Sequence, residues 1–377
     1  MTWLPADTLA DVSSRAVALE VLLRGPLSRA ELARRVGLSS GSLSRLTRPM
    51  LASGFLVEAS PEPAAGRGRP SQPLDVAPSA HRVVGVKITE DAVYAVLTTL
   101  RAEEVARSSA PLPSHDVEAV VSAVVDTVHR LADGSALNGV GVALGGRILD
   151  RRVLAVSPYL GWKQVPLADL LKARLGVPVI LENDVVALTR AEQWYGAGRT
   201  VDTFAVVTIG ASVGHGLVAS GAVVLSTDMG RSMVGHITVD PVGPMCPQGH
   251  RGCAEAMLTV SAITSQASMG LRRPVSYAEV LQLAAADDPV AGEVVRSSGR
   301  ALGVFLSTVA SVTFSDTLVL AGEGVGLLDT ARREVEQGMA RMRPDGAAPV
   351  ELLSRDPGFS AWARGAAAVA AQEYVLG

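Results

Sequence analysis

The sequence predicts an α/β protein that begins with a small helical segment of different character. From residue 81 onward, short apolar runs of strand length alternate with longer stretches whose apolar residues recur at helical spacing, and this alternation indicates the α/β class. Composition agrees: 48% of the 377 residues are hydrophobic, 19% are charged and only 4% are aromatic. Large aliphatic cores are therefore expected, and a disordered chain, a collagen-like repeat and a disulfide scaffold are excluded.

Three short helices and a strand are predicted within the first 60 residues. Ser28 and Glu31 have the spacing of a capping box, in which each side chain binds an amide of the first helical turn. The predicted order is helix 15–24, a second helix after Ser28, a third helix from Ser39 or Ser40, a strand at 55–57 and a loop at 60–73. This order is typical of a winged helix-turn-helix. The alternative is a small helical bundle used for dimerisation.

Local charge favours the DNA-binding alternative. The whole chain has a formal net charge of −3, yet residues 24–69 hold eight arginines against three glutamates. The third helix would expose small polar groups beside long cations, and glycine-flanked arginines in the loop could enter a narrow minor groove. The predicted contacts to double-stranded DNA are Ser40, Ser42, Ser44, Arg45, Arg48, Arg67 and Arg69.

The remaining chain is expected to form one body of two lobes. The predicted limits are 1–80 for the DNA-binding head and 81–377 for the body, with lobes of about 81–182 and 183–377. The predicted body strands are 82–88, 93–100, 140–144, 177–181, 204–209, 216–219 and 317–321, and the predicted helices are 117–131, 167–175, 254–269, 288–312 and 360–374. No secretion signal is visible, and the uncharged stretch 203–227 is interpreted as paired buried strands, so we expect a cytoplasmic protein with no membrane partner.

Several motifs occur together in one order along the chain. They are Leu27-Ser-Arg-Ala-Glu-Leu-Ala, the loop Gly-Arg-Pro, Ser157-Pro-Tyr-Leu-Gly-Trp162, Glu182-Asn-Asp184, and Gly235-His236 followed by Pro241, Gly243, Cys246 and Gly252-Cys-Ala-Glu255. Together they resemble the ROK family (repressors, open reading frames and kinases), in its repressor branch with an N-terminal winged helix. The resemblance covers nearly the whole chain. It implies a two-lobed, sugar-kinase-like body of the actin and ribonuclease-H type, which in the repressors usually senses a ligand.

One departure from the family bears on kinase activity. The kinases carry Asp-x-Gly-Gly-Thr after the first strand, where glycines let backbone amides approach phosphate. The corresponding stretch here is Lys87-Ile-Thr-Glu-Asp91, which lacks the glycines and carries two acids. A second glycine-rich turn, at residues 210–216, matches the family's second phosphate loop more closely. We therefore expect no enzyme activity and no ATP as cofactor, and an active sugar kinase with a DNA-binding head is the alternative.

The resemblance also implies a sugar pocket. Its expected ligand contacts are Asn183, Asp184, His236 and Glu255, where amide and carboxylate groups supply the donors and acceptors that vicinal hydroxyls need. A simpler interpretation is that Asn183 and Asp184 cap the next helix. Met233 stands where the family has a sugar-binding glutamate, so the effector differs from a plain hexose, binds weakly, or is absent in a ligand-independent regulator.

The family's zinc site is altered in this chain. The resemblance implies metal ligands at His236, Cys246 and Cys253, whereas the family's middle cysteine is Gln248 here. Two side chains remain as candidates for the fourth ligand. One is the Gln248 amide, which is a poor zinc ligand because it is neutral, and the other is the His250 ring. The alternative is two buried thiols beside a histidine.

These features predict a cytoplasmic transcriptional regulator, more specifically a repressor of carbohydrate-related genes. A single helix-turn-helix reads few bases, so a homodimer or higher homo-oligomer on a two-fold DNA operator is expected. The expected effector is a sugar or a sugar-derived compound.

Overall fold

The computed structural model describes Leu9 and residues 11–60, 72–77, 80–231 and 233–377. Internal contacts divide the chain into two compact units. Unit 1 comprises Met1–Tyr195 and Trp362–Gly377, and unit 2 comprises Gly196–Ala361. The head thus belongs to unit 1, and so do residues 183–195 and the last helix, which the sequence analysis assigned to the second lobe.

The head contains the predicted three helices and a two-stranded wing. Its elements are α1 (Val12–Arg24), α2 (Arg29–Arg35), α3 (Ser40–Ala52), β1 (Leu56–Glu58) and β2 (Leu74–Val76), and the two strands are antiparallel. The Ser28 side chain accepts the amide of Glu31 at 3.1 Å, but the Glu31 carboxylate binds Arg34 and Arg35. The capping box predicted for α2 is therefore only half formed.

Unit 1 is built on a five-stranded sheet of order β10-β6-β3-β4-β5. Its elements are β3 (Arg82–Ile88), β4 (Ala92–Thr99), β5 (Glu104–Pro111), α4 (Val117–Ala132), β6 (Gly139–Leu144), β7 (Arg147–Leu149), β8 (Val153–Ser157), β9 (Trp162–Val165), α5 (Leu167–Leu175), β10 (Val179–Asn183) and α6 (Asp184–Tyr195). Strands β3, β4 and β5 form an antiparallel meander, and β6 and β10 continue the sheet in parallel. Strand β10 ends two residues later than predicted, which brings Asn183 to the start of α6.

Unit 2 repeats the same topology with strand order β13-β12-β11-β14-β15. Its elements are β11 (Phe204–Ile209), β12 (Val213–Ala219), β13 (Ala222–Val223), α7 (Ala254–Leu258), α8 (Val260–Leu271), α9 (Tyr277–Ala285), α10 (Pro289–Thr313), β14 (Thr317–Ala321), α11 (Gly326–Thr330), α12 (Arg332–Met342) and β15 (Glu351–Ser354). The uncharged stretch 203–227 is accounted for by β11–β13, as predicted. Two copies of an antiparallel meander extended by two parallel strands confirm the predicted two-lobed α/β class.

One predicted helix of unit 2 is interrupted. The sequence analysis expected a continuous helix over 254–269, whereas the structure has α7 and α8. Thr259 lies between them in an extended conformation and its side chain accepts the amide of Ala262. The break arises because a capping threonine satisfies the first turn of α8 better than a continuing helix would.

The last helix, α13 (Phe359–Leu376), returns to unit 1 and lies directly on its sheet. A Cβ atom at Gly85 would lie 1.9 Å from the Ala363 carbonyl oxygen, and one at Gly141 would lie 1.9 Å from that of Ala366. Only glycine permits this approach of helix backbone to strand backbone. The contact explains why residues 362–377 belong to unit 1.

The head shares its core with the rest of unit 1. One buried apolar cluster includes Leu22, Leu43 and Phe55 of the head together with Val83, Leu100, Ala367 and Val375. Removal of the head would therefore expose apolar surface on the sheet and on α13. Point substitutions in the full chain are the better test of what the head does. Within the described part of the chain, no helix is long and apolar enough to cross a membrane.

Candidate functional site

The exposed face of α3 carries most of the predicted DNA contacts. Ser40, Ser44, Arg45 and Arg48 are exposed, as expected for groups that reach another molecule. Ser42 is only half exposed, because its amide and hydroxyl both bind the side chain of the N-cap residue Ser39. Ser42 therefore helps to begin the helix. Arg67 and Arg69 lie outside the described residues.

Charge pairing distinguishes the arginines of α3 from those of α2. Arg29 binds Glu58, and Arg34 and Arg35 both bind Glu31. Arg45 and Arg48 make no ion pair with any residue that the structure describes. The charges of Arg45 and Arg48 are thus less compensated within the fold than those of the α2 arginines, although Arg45 lies near enough to Asp11 to help lower the pKa of that carboxyl.

In unit 1, Asn183 and Asp184 form the start of α6. The Asn183 side chain donates to the Gly146 carbonyl at 3.1 Å and accepts the amides of Val185 and Val186. One oxygen of Asp184 accepts the Val185 amide at 3.0 Å. The geometry therefore shows both residues as caps of α6, as the simpler interpretation of this pair predicts.

The second oxygen of Asp184 is bound by Lys87. The two charged groups form an ion pair in which the side chains are only 8% and 15% exposed. The Lys87 ammonium also lies 5.2 Å from the centre of the Trp362 ring, within the range of a cation–π contact. Lys87 is the residue that replaces the family's phosphate-loop aspartate. Its partner, Asp184, is the carboxylate that the resemblance implies as the base in the family's kinases.

In unit 2, two carboxylates lie against the glycine-rich turn that follows β11. The Val213 amide donates to Glu255 at 3.0 Å. A Cβ at Gly210 would lie 2.5 Å from a Glu323 carboxylate oxygen, so that side chain covers the turn. Burial raises the pKa of Glu255, and the Val213 amide opposes the shift. Two carboxylates of the chain itself thus lie beside the glycine-rich turn 210–216, which the sequence analysis compared with a phosphate-binding loop.

In unit 2, the ligand atoms of His236, Cys246 and His250 lie within 4.8 Å of one another next to α7, and Cys253 lies at the edge of this group. His236 Nδ1 lies 3.9 Å from Cys246 Sγ and 4.0 Å from Cys253 Sγ, and His250 Nδ1 lies 3.5 Å from Cys246 Sγ. We call these four residues the Cys–His cluster. In a tetrahedral zinc site, bonds of 2.0–2.3 Å place a nitrogen and a sulfur about 3.6 Å apart. The three separations are close to that value. His236, Cys246 and His250 therefore fit a divalent zinc ion, whereas Cys253 lies outside the group of mutually close ligand atoms.

The surroundings of Cys246 favour a thiolate. Burial opposes its ionisation, but the backbone amides of His250 and Gln248, the His250 ring and Cys253 together lower its pKa to about 7. The pKa of Cys253 is raised, first by burial, and that of His236 is lowered by burial and by the neighbouring His250. Gln248 is exposed and contributes its backbone amide. His250 is therefore better placed than Gln248 to complete the cluster.

Two features of these sites were missed in the sequence analysis. Lys87 was noted as a lost phosphate-binding residue but not as the partner of Asp184, although a lysine inside the apolar strand Val83–Ile88 was a signal that it needs a buried counter-charge. Glu323 was not considered at all. Its position after β14 becomes informative only once β11 and β14 are known to be neighbours in the sheet.

Comparisons with known proteins extend over both the head and the body. A protein-family model described as the ROK family matches residues 83–373. The xylose repressor of Bacillus spizizenii is 22% identical over 373 residues, which cover 97% of this chain and 96% of the repressor. A crystal structure of a ROK family transcriptional regulator, a homologue of the E. coli MLC protein, matches with a TM-score of 0.82 at 21% identity and covers 98% of both chains. A glucokinase of Thermotoga maritima is 38% identical over 149 residues, which are 39% of this chain and 47% of the kinase.

Proposed function

The chain belongs to the ROK family, and on that premise we propose that it is a DNA-binding transcriptional repressor of carbohydrate-related genes. The observation that carries the proposal is the exposed face of α3, where Arg45 and Arg48 have no ion-pair partner among the described residues. Long, exposed cations on the third helix of a winged helix-turn-helix are suited to phosphates and to guanine edges in the major groove. The likeness to a named repressor along nearly the whole chain supports the same conclusion.

The proposed partner is double-stranded DNA with a two-fold operator, bound in the cytoplasm by a homodimer or a higher homo-oligomer. One helix-turn-helix contacts few base pairs, so two heads on symmetric half-sites about 34 Å apart, or a multiple of that spacing, are needed for specific binding. The acidic net charge of the whole chain keeps non-specific attraction to DNA confined to the head.

The test is a DNA selection followed by substitution in the full chain. Randomised duplexes are enriched on the full-length protein, and the winning duplex is titrated with Arg45→Ala, Arg48→Ala and the control Arg34→Ala. We expect each α3 substitution to weaken binding by about 1–3 kcal/mol, roughly 5- to 150-fold. Arg34→Ala should change binding by less than about twofold, because Glu31 already neutralises Arg34. Equal effects of Arg45→Ala and Arg34→Ala would remove α3 from the interface.

We further propose that the protein responds to a sugar or a sugar-derived effector. The contacts implied by the family are Asn183 and Asp184 in unit 1 and His236 and Glu255 in unit 2. Asp184 and Glu255 are supported as contacts because their carboxylates are positioned by backbone amides and so are preorganised to accept hydroxyl hydrogens. Titration of the selected DNA in the presence of glucose, N-acetylglucosamine, mannose or xylose checks this part of the proposal.

Zinc is the metal that the Cys–His cluster fits best. We propose that His236, Cys246, His250 and Cys253 hold it, so that the tight turn from Cys246 to His250 supplies two ligands. The turn is closed by hydrogen bonds from the Cys246 amide to the His250 carbonyl and from the Gly249 amide to the Cys246 carbonyl. A zinc ion with four protein ligands has a structural role, since no position remains open for substrate.

The second candidate function, sugar phosphorylation, is favoured by the local identity to a glucokinase. Two observations oppose it. Lys87 binds the carboxylate that would have to accept the proton of the sugar hydroxyl, and Glu255 and Glu323 lie against the turn that would have to receive phosphate. Anionic side chains near a phosphate repel it, by roughly 1 kcal/mol each even at a water-like dielectric constant. We therefore propose that this chain is not an enzyme.

A further inference from the structure

Two helices of unit 1 each begin near the Lys87–Asp184 ion pair and end against the head. Asp184 is the first residue of α6, and Trp362, which contacts Lys87, lies in the first turn of α13. At the other end, Tyr195 closes α6 and Tyr374 lies in the last turn of α13. We call α6 and α13 the helix pair. With twelve residues, α6 spans about 18 Å between its two ends.

The two helices are packed closely enough to move together. A Cβ at Gly365 of α13 would lie 3.0 Å from the backbone of Ala187 and Leu188 in α6. Farther along, two hydrogen bonds join Arg190 and Gln372. The Arg190 guanidinium donates to the side-chain oxygen of Gln372, and the side-chain nitrogen of Gln372 donates to the backbone carbonyl of Arg190. Backbone contact at one level and reciprocal hydrogen bonds at another oppose sliding of one helix along the other.

The far end of α6 is attached to a residue that holds the head. The Tyr195 hydroxyl donates to the Leu100 carbonyl at 2.5 Å. The next residue, Arg101, donates to the carbonyl of Leu22 at 2.8 Å and to that of Val21 at 3.0 Å, and it also binds the Asp75 carboxylate. Arg101 thus reaches the last turn of α1 and the wing strand β2 at once. We call Tyr195, Leu100 and Arg101 the junction.

The junction is well suited to fix the orientation of the head. The Leu22 carbonyl has no helical partner, because residue 26 is a proline without an amide hydrogen, whereas the Val21 carbonyl also accepts the Gly25 amide. A guanidinium is the side chain best able to bind two carbonyls and a carboxylate in a fixed geometry. No Cβ would fit at Gly25, because it would lie 2.4 Å from the Val21 oxygen and 2.8 Å from the Asp75 carboxylate. The head cannot shift relative to Arg101 without loss of these contacts.

We propose that Arg101 is a positioning residue for DNA binding, and that the helix pair carries the state of the Lys87–Asp184 ion pair to it. An effector hydroxyl that binds Asp184 competes with Lys87 for the carboxylate and displaces the start of α6. The displacement reaches Tyr195, moves Leu100 and Arg101, and changes the orientation of α1 and β2. The inference rests on the proposed function, because its output is the affinity of the head for DNA.

The test is a double-mutant cycle in the full-length protein that needs no effector. Lys87→Met together with Asp184→Asn removes both charges of the ion pair at nearly constant volume, so that no unpaired charge stays buried. Tyr195→Phe and, separately, Arg101→Lys loosen the junction, and Arg107→Lys, an exposed arginine on β5 paired with Glu104, is the matched control. Affinity for the selected duplex is measured for every single and combined variant.

We expect the ion-pair variant to change DNA affinity at least about fivefold, a typical coupling between two sites. In the Tyr195→Phe or Arg101→Lys background the same change should shrink to less than about twofold, and in the Arg107→Lys background it should persist. The proposal is overturned if the ion-pair variant changes DNA affinity by the same factor, within about twofold, in all three backgrounds. Equal factors mean that the free-energy changes add, as they do for uncoupled sites.

Hydrogen exchange supplies a readout that does not depend on DNA. The amides of Gly25 and Leu74, which donate to Val21 and Leu27, report on the end of α1 and on β2. The ion-pair variant should speed their exchange in the otherwise wild-type chain but not in the Tyr195→Phe background, where it is already fast. If the wild-type protein selects no duplex, the proposed function fails. If exchange at both amides ignores the ion-pair variant, the coupling fails, whatever the DNA result.

Discussion

At Lys87 a single side chain changes the chemistry of unit 1. The kinases of the family carry an aspartate there, whereas this chain places an ammonium group against the Asp184 carboxylate and over the Trp362 ring. One oxygen of the Asp184 carboxylate is thus occupied by a charged partner from the chain itself. In the proposed response to a sugar, this pairing makes Asp184 a group whose partner an effector can replace.

A residue-scale prediction concerns the fourth member of the Cys–His cluster. Purified wild-type protein is expected to contain close to one zinc per chain by inductively coupled plasma mass spectrometry. His250→Ala should lower that content strongly, because it removes a nitrogen 3.5 Å from Cys246 Sγ. Gln248→Ala, the matched control in the same turn, should retain the metal, because only the backbone amide of Gln248 contacts the cluster.

Two outcomes of the metal analysis would contradict this assignment. Zinc retained by His250→Ala and lost from Gln248→Ala would transfer the ligand role to Gln248. A wild-type protein free of zinc, but with metal restored by Gln248→Cys, would show that the turn kept its geometry and that His250 does not replace the family's cysteine.

A second residue-scale prediction concerns pH. His81 is buried between Phe55 of the head and Tyr374 of α13, and its Nδ1 lies 3.0 Å from the Tyr374 hydroxyl. Burial lowers the pKa of His81 below its ordinary value of 6.5. The unfolded chain therefore takes up the proton more readily, so His81 contributes full stability above pH 6.5 and loses its contribution as the pH falls below that value.

Thermal unfolding at a series of pH values measures this contribution. The melting temperature of the wild type should fall between pH 7.5 and pH 5.5, and His81→Gln should show a smaller fall, because its amide does not titrate. His129→Gln, a substitution at an exposed histidine on α4, should fall as steeply as the wild type. Identical slopes for all three proteins would exclude His81 as a titrating group in this range.

At the scale of single elements, α13 provides the clearest prediction. Gly85→Ala would place a methyl group 1.9 Å from the Ala363 carbonyl oxygen, which forces the helix away from the sheet. We expect a loss of about 3 kcal/mol or more in the free energy of unfolding, measured in urea. Gly41→Ala in α3 is the control. It has no neighbour within 4 Å, and it should stabilise the helix by about 0.5–1 kcal/mol. A stable Gly85→Ala protein would show that α13 is not seated as described.

Helices and strands were predicted correctly where neighbouring residues alone define their limits. The helix predicted over 167–175 has those limits in the structure, and so has the strand 204–209, because flanking glycines, prolines and apolar periodicity define both. The division at Thr259 was missed because a capping threonine looks like any helical threonine until the backbone is seen. The return of α13 to unit 1 was missed because it depends on contacts between residues nearly 300 positions apart.

The candidate sites show the same limit. The residues of the Cys–His cluster were predicted from the family resemblance and from the position of His250 in the same loop, and the geometry then favoured His250 over Gln248. Lys87 and Asp184 are 97 positions apart, and neither periodicity nor a motif shows that they meet. Ser42 is less exposed than its helical position predicts, and its hydrogen bonds with the N-cap Ser39 show that it also helps to begin the helix.

At the scale of the whole molecule, we expect no sugar kinase activity. Full-length protein supplied with ATP, magnesium and glucose, N-acetylglucosamine, mannose or xylose should release ADP no faster than a sample without sugar. The reasons lie in both units, since Lys87 binds Asp184 in one and carboxylates cover the glycine-rich turn in the other. Sugar-dependent ADP release that disappears in Asp184→Asn would establish the kinase alternative.

The position of α13 has a consequence for how the protein is made. The sheet of unit 1 and the core beneath the head are covered by residues that leave the ribosome after all of unit 2 has been synthesised. The surfaces around Gly85 and Phe55 must therefore wait, uncovered, through the translation of more than 270 further residues, about 14 to 54 seconds at 5 to 20 residues per second. A message truncated before codon 359 would yield a chain with an intact helix-turn-helix sequence but without the support that holds it. We expect such incomplete chains to bind DNA more weakly than the finished protein, because the apolar core that the head shares with α13 is missing.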